Sequence, residues 1–389
     1  MTELTGTVLR PDDPGYDAAR RGFQAAHAHR PDVVVAARSA DDVAAARRYA
    51  TAKGLPFAVQ SSGHGLAAPL EGGILVSTRE MRGVAVDPVA RTARIEAGAS
   101  WGDVVAATIP HGLAPLNGSS PGVGVVGYLL GGGFGLLGRR YGFAVDRVRA
   151  VEGVTPAGEQ IRTDLLRDDL VVTSVEIELV EQPEVWGGSL AIEATPELLT
   201  GWTEWAADLP ETVTAGVSLV PFPDVEHMPP PFRGRHMAML TIAATVDVSA
   251  LVAPLRELGP VRHERLGTMP YAESHTIHND PSDPEPYAGD AHLLRTLDPS
   301  LLGEVLDATG PTAAVPSVME IRRLGGAFAR GERVPAAFRE ASHLVRAVTV
   351  LGDIGPTEKD ARALHERLFA PFATDDLGRA RTFCYGATH

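Results

Sequence analysis

The sequence is short of several things, and each shortage excludes a class of protein. Only one of its 389 residues is a cysteine, Cys384, so no internal disulfide can staple the fold. Lysine and arginine number 35 against 49 aspartates and glutamates, a formal net charge of −14. A chain so poor in cations cannot neutralise a phosphate backbone, which excludes nucleic acid as an expected partner. No apolar run reaches membrane-spanning length, because Gly, Pro or a charged residue interrupts each one, and no membrane partner is expected. The first residues, MTELTGTVLRPDDPGYDAARRGF, lack the basic start and apolar centre of a signal peptide. With the single cysteine, this points to a reducing cytoplasm as the expected location. Long polar tracts, repeats and low-complexity segments are also lacking.

What remains is globular in character, with 44% apolar and 22% charged residues in a length that suits two domains. PDVVVAARSADDVAAARRYATAKGLPFAVQ reads as a strand at Val33 to Val35, a helix opening at Ser39 and a strand from Pro56 to Gln60. Ser39 is a helix cap in this reading, with Asp41 and Asp42 at the positive end of the helix dipole. The short alternating segments ILVST, GVAVD and RTARIEAGA are then expected to continue the sheet as a meander. Beyond Glu181 the texture changes, with proline clusters at Pro221 to Pro231 and Pro281 to Pro286. Fresh strands are expected at VTAGVSLV, HMAMLTIAATV, VMEIRRL and LVRAVTVL, and helices at PELLTGWTEWAADL and DVSALVAPLREL cover one face of them. The expected fold class is α+β, with one domain over residues 1–180 completed by 356–389, and a second, antiparallel-sheet domain over 181–355.

Two glycine clusters carry the functional signal. Ser61-Ser62-Gly63-His64-Gly65 directly follows a strand, where turn N–H groups can bind pyrophosphate and an imidazole can tether a cofactor. A denser run, NGSSPGVGVVGYLLGGGFGLLGRRYG, allows close backbone approach to a flat ligand, with Gly124, Gly131, Gly132 and Gly133 as candidate contacts. Within it, Gly118-Ser119-Ser120-Pro121-Gly122 fits the G-x-S-x-G nucleophile pattern but lacks the preceding apolar strand and following helix of a hydrolase elbow. His275 and His278, with Glu273 and Asp280, have a metal-like spacing, yet Pro281 and Pro284 make the segment a loop, and no metal is expected.

With these motifs in view, QSSGHG, TREMRGVAVDPVARTARIEAGASWGDV and NGSSPGVGVVGYLLGGGFGLLGRRYGFAVDRV closely resemble FAD-linked oxidases of the p-cresol methylhydroxylase type, in the berberine-bridge-enzyme-like branch. LRELGPVRHERLGTMPY and MEIRRLGGAFAR are similar to that family's substrate domain. The resemblance implies a two-domain fold holding FAD through Ser61 to Gly65 and the run around Gly131 to Gly135, with a sheet laid over the flavin ring. It also implies a covalent link at His64; the family's second tether, a cysteine, is Ser120 here, so a bicovalent flavin is excluded. The sequence departs from the family where IRTDLLRDDL runs straight into VVTSVEIELV without the usual glycine-rich insertion, and where the chain stops at ARTFCYGATH. Several polar contacts to a flavin are therefore expected to be missing, at about 0.5 to 3 kcal/mol each.

In the second domain, strand alternation puts Glu320 and Arg322 on one sheet face. They read either as a general acid or base beside a carbonyl-polarising cation, or as a structural ion pair. Tyr271 is a further catalytic candidate, and Tyr128, Phe134 and His343 are candidate substrate contacts. The shortened segments favour a non-redox cyclase or rearrangement enzyme, acting without cofactor on a bulky, largely apolar, polyketide-like small molecule. The alternative is an FAD-dependent oxidase, with non-covalent flavin or flavin tethered at His64; a third reading is a binding protein without catalysis.

Overall fold

A computed structural model describes residues 4–66, 68–352 and 355–385; residues 386–389 of the segment expected to complete the first domain lie outside the described residues. Ser39 caps the helix Ala40–Lys53 by accepting from Asp42 N–H at 3.3 Å, and Gly54 ends it in the left-handed conformation. The helix links Val33–Ala36 to Phe57–Gln60, and both strands run parallel to Ile74–Ser77, which lies between them. The expected meander is therefore broken: ILVS enters this four-stranded sheet in the middle, and Val84–Asp87 with Thr92–Glu96 begin a separate five-stranded sheet. Thr92–Glu96 pairs there with Val171–Glu178, which pairs in turn with Val148–Val154.

The second half builds an eight-stranded sheet in the order Val261–Pro270, Glu184–Glu193, His236–Ala244, Val213–Pro221, Val318–Arg323, His343–Val350, Tyr287–Leu294 and Asp376–Arg379. Its alternating apolar residues, among them Leu190, Val217, Leu240, Met319, Ile321 and Val345, pack with Leu198 and Trp202 of helix Pro196–Ala207, and with Leu364 and Leu368 of helix Glu358–Phe369. Fully burying each such side chain stabilises the fold by roughly 1.5–3 kcal/mol. The segment after 356 thus sends its helix into this core and its strand onto this sheet. The opposite face, carrying Glu320, Arg322 and Arg346, turns towards the glycine-dense run of the first half, whose Phe134 backbone carbonyl accepts from Arg322 Nη1 at 3.4 Å. No described helix is long and apolar enough to cross a membrane.

Candidate active site between the two glycine segments and the charged sheet face

Strand Phe57–Gln60 ends in the turn that carries His64. Gly63 has φ +71°, and a Cβ there would lie 2.6 Å from Gly22 Cα, so only glycine fits. The Ser62 hydroxyl accepts from Gly124 N–H at 3.0 Å and lies 3.2 Å from His64 Nδ1. The His64 ring stacks on Phe23 with centroids 3.9 Å apart, and its Nε2 is buried with no hydrogen-bond partner among the described residues. Burial lowers its pKa to about 4 against the opposing charge of Asp280, so the imidazole is neutral near pH 7.

The segment that meets this turn is Pro121–Gly124: a Cβ at Gly122 would touch the His64 ring, and one at Gly124 would lie 3.2 Å from the hydroxyls of Ser61 and Ser62. That corrects the expectation that Gly131 to Gly135 faces the His64 turn. Gly131 instead lies against Thr382, Gly132 against Val334 and Phe338, and Gly133 against Tyr128 and Ala144. These glycines allow tight packing within the protein. Ser120 lies in the turn before Gly122, where its carbonyl accepts from Val123 N–H at 3.4 Å.

Glu320 and Arg322 share a face as expected, and cross-strand pairing sets Arg346 opposite Glu320. Arg322 Nη2 lies 2.8 Å from Glu320 Oε1, and Arg346 Nη2 lies 2.9 Å from Oε2 of the same carboxylate, which is 3% exposed. The second pair is chiefly electrostatic, because Glu320 Oε2 and Arg346 Nε have no hydrogen-bond partner among the described residues. Burial alone would raise the Glu320 pKa, but Arg322, Arg346 and His278 outweigh it and hold the carboxyl far below its ordinary range. A carboxylate so firmly ionised is a poor proton donor or acceptor near neutrality; it fixes the two guanidinium groups instead.

Sequence reasoning missed Arg346 because strand register is not legible in one strand alone, although an arginine opposite a glutamate is a favoured cross-strand pair. Also missed were Tyr287, which donates from its hydroxyl to His64 O at 2.7 Å, and Tyr385, whose hydroxyl meets Arg346. Asp280 hydrogen-bonds the Ser119 hydroxyl across the two halves. Its charge acts on His64 and on half-buried His278, whereas His275 is exposed and bonds Ala272 O at 3.2 Å. The two histidines of the metal-like spacing thus have different surroundings, and no group of three or more metal-ligating side chains forms among the described residues.

Four further candidates are held in packing or in hydrogen bonds within the protein. Phe134 is 1% exposed in an aromatic cluster with Phe143, Phe328, Phe338 and Phe383. The Tyr128 hydroxyl donates to Leu116 O at 3.1 Å beneath the Gly118 turn. The Tyr271 hydroxyl is used in a buried link, 2.9 Å from Pro115 O and 2.8 Å from Asn117 Oδ1. His343 alternates with Arg346 and so takes the Val345 side of its strand, with Nδ1 2.7 Å from Ser342 Oγ; burial pushes its pKa down to about 3.

The residues fit a flavin chemically: a strand-end turn rich in small residues, an unpartnered neutral imidazole in it, and fixed cations across the cleft. A cavity of about 10 Å³ lies between Gly135, Leu136, Gly216, Thr241, His278 and Arg322.

Residues 31–164 match the model of an FAD binding domain. The chain is similar to the BBE-like 1 protein of Physcomitrella patens, with a TM-score of 0.83 and 14% identity over 99% of this chain and 90% of that one. It is 34% identical over 232 residues to the (R)-6-hydroxynicotine oxidase of Paenarthrobacter nicotinovorans, covering 56% of this chain and 48% of that enzyme. It is 37% identical over 157 residues to the aclacinomycin-N/aclacinomycin-A oxidase of Streptomyces galilaeus, covering 38% of this chain and 28% of that enzyme. The chain thus spans about half or less of the length of these two curated relatives. It has the berberine-bridge-enzyme-like fold of the p-cresol methylhydroxylase type. Within that fold residues 31–164 match an FAD binding domain, and the two curated relatives above are named as oxidases. These findings overturn the expectation of a cofactor-free, non-redox cyclase: the shortened segments flank the cofactor-type domain and leave the His64 turn intact.

Proposed function

We propose that the chain is an FAD-dependent oxidase of a small organic molecule. The observation that carries this reading is the Ser62 to Gly124 hydrogen bond, which joins two glycine segments of the FAD binding domain around the unpartnered Nε2 of His64. Bound FAD would supply a two-electron acceptor: the substrate loses two hydrogens, and oxygen takes them up as hydrogen peroxide. The protein's part is to hold and orient. The turn Ser61 to Gly65 contributes backbone donors and the neutral His64 ring, and Ser120 lacks the thiol for a second tether. Tyr287 fixes the His64 carbonyl and so the turn's geometry. On the facing sheet, Arg322 and Arg346 are locked by Glu320, so their positive charge is preorganised where negative charge develops in substrate or cofactor. Arg322 and His278 line the same small cavity and would take the substrate's polar end.

The test is the visible spectrum of protein purified from flavin-replete cells, before and after denaturation, with a peroxide assay on candidate amines and alcohols. Oxidised-flavin bands and oxygen-dependent peroxide are expected. Protein without those bands that also fails to bind added FAD overturns the reading.

A further inference from the structure

The outermost strand of the eight-stranded sheet is held with little apolar burial. Asp376–Arg379 is four residues long and pairs with Tyr287–Leu294 through His292 with Arg379 and Leu294 with Asp376, with a shift of register between them. Its one apolar side chain, Leu377, is half-buried. What fastens it is a row of charges. His292, on the inner strand, places Nδ1 2.8 Å from Asp376 Oδ2 and Nε2 3.7 Å from Asp290 Oδ2. Arg379 Nη2 lies 3.0 Å from the same Asp290 oxygen. The Phe369 ring of helix Glu358–Phe369 stacks on the imidazole with centroids 4.3 Å apart, and only 14% of the His292 side chain meets solvent. With the imidazole protonated, the cations His292 and Arg379 face the carboxylates Asp290 and Asp376; without that proton, Arg379 alone faces both.

We propose that His292 is a proton-controlled latch on this strand: its imidazolium bridges Asp376 on the outer strand to Asp290 on the inner one, and loss of the proton loosens Asp376–Arg379 from the sheet. Burial would lower the His292 pKa, but the hydrogen bonds and charges of Asp290 and Asp376 outweigh it and raise the value. The latch is therefore intact below about pH 6.5 and is lost as pH rises through the raised value. Other titratable groups around the ring keep their charge state through that window. Burial lowers His365, against the charge of Asp290, to about 4. It pushes Cys384, whose Sγ is 3.3 Å from Asp290 Oδ1, up to about 12. Burial would raise Asp290, but its bond to His292 and the charge of Arg379 hold it at about 2. A charge-assisted hydrogen bond is about twice as strong as a neutral one, so the Nδ1 bond to Asp376 outlasts the proton only in its weaker form. The latch lies at the root of a segment that packs on Gly131 through Thr382 and sets the Phe383 ring 5.2 Å from the Arg346 guanidinium. Loosening the strand thus reaches one cation of the candidate site, and the latch itself requires no flavin.

The amides of Ala380 and Arg295 report on the two ends of this seam, because they bond across it to Ala291 O and Asp375 O, both at 2.9 Å. Their hydrogen exchange is measured in the full chain at about pH 6 and about pH 9, each rate divided by the intrinsic rate of an unfolded amide at that pH. Protection at both amides is expected to fall about fivefold to tenfold between the two pH values, while the amides of Val318–Arg323 hold theirs. The midpoint of the fall should match the titration of the His292 ring followed by NMR. His292→Gln, which can hydrogen-bond but cannot take up the proton, should show the lower protection at both pH values. Equal protection at the two pH values in the wild type, or an undiminished fall in His292→Gln, overturns the latch. Should the variant misfold, the wild type decides alone: a fall whose midpoint lies apart from the titration of the His292 ring overturns the proposal.

Discussion

Glu320 shows how far a residue can be read from its neighbours in sequence. Alternation along Met319-Glu320-Ile321-Arg322 places the carboxylate and the guanidinium on the same face, and the structure agrees. It does not reveal Arg346, which comes from a different strand and converts an open choice between base and ion pair into a triad of two cations and one carboxylate. Glu320→Gln removes the one negative charge from between two partly or fully buried cations. The expected cost is about 3–5 kcal/mol of folding stability, measured by urea unfolding, and Arg346→Met combined with Glu320→Gln should recover part of it. A loss below about 1 kcal/mol would show the triad to be solvated. At His64 the expectation is chemical: flavin that stays with the wild type after denaturation should be released from His64→Ala. Flavin retained by that variant would place the tether on another residue.

At the scale of elements, the glycine-dense run divides into two tasks that composition alone cannot separate. Gly122 and Gly124 approach the His64 turn, whereas Gly131 to Gly133 allow Thr382, Phe338 and Ala144 to pack closely. Both need a missing Cβ, and only the tertiary partner tells them apart. The same blindness misplaced ILVS, because a short apolar strand looks alike whether it joins a parallel or an antiparallel sheet. Faces were legible where alternation was strict; the packing of Phe134, Tyr128 and Tyr271 was not, because an aromatic in a glycine-rich or loop segment packs as readily into a core as into a pocket. One residue ties these elements together. Arg139, in the short helix Gly138–Tyr141, donates from Nε to Val213 O at 2.8 Å and from Nη2 to Leu209 O at 2.7 Å, and its Nη1 bonds Leu324 O. It thereby pins the end of the glycine run to two connections of the eight-stranded sheet, the one leading into Val213–Pro221 and the one leaving Val318–Arg323. Arg139→Met leaves these buried carbonyls without a donor, at roughly 1–3 kcal/mol for each group. A fall of at least about 3 kcal/mol in unfolding free energy is expected by denaturant titration. Arg139→Lys, which reaches fewer carbonyls at once, should recover only part of the loss.

Over the whole molecule, histidines that fold as neutral rings act on the acid side of the stability profile, together with carboxyls such as Asp290 and Glu320 that their partners hold below the ordinary range. Burial lowers the pKa to about 4 in His64 and His365, in both cases against an opposing aspartate charge, and to about 4 in His236. It lowers His343 to about 3, with the charges of Arg323 and Arg139 acting in the same direction. Between the ordinary histidine value of about 6.5 and these lowered values, the unfolded chain binds protons that the folded chain does not. Stability must therefore rise with pH through that window and be lost as pH falls through it. His292 works in the other sense. Burial would lower its pKa, but hydrogen bonds to Asp290 and Asp376 and the charges of those groups outweigh this and raise it. Its contribution is complete below about pH 6.5 and is lost as pH rises through its raised value. The two senses together predict a maximum near neutrality, with the steeper fall on the acid side because six histidines, His29 and His278 among them, are lowered and one is raised. Urea midpoints at about pH 7 and about pH 4.5 test this, the lower pH giving the lower midpoint. His365→Asn keeps a polar group near Thr349 Oγ1, 2.9 Å from the native Nε2, but cannot take up the proton, so it should flatten the acid limb. Equal midpoints at the two pH values, in a protein still cooperatively folded, would mean that these rings are hydrated and titrate as they do in the unfolded chain.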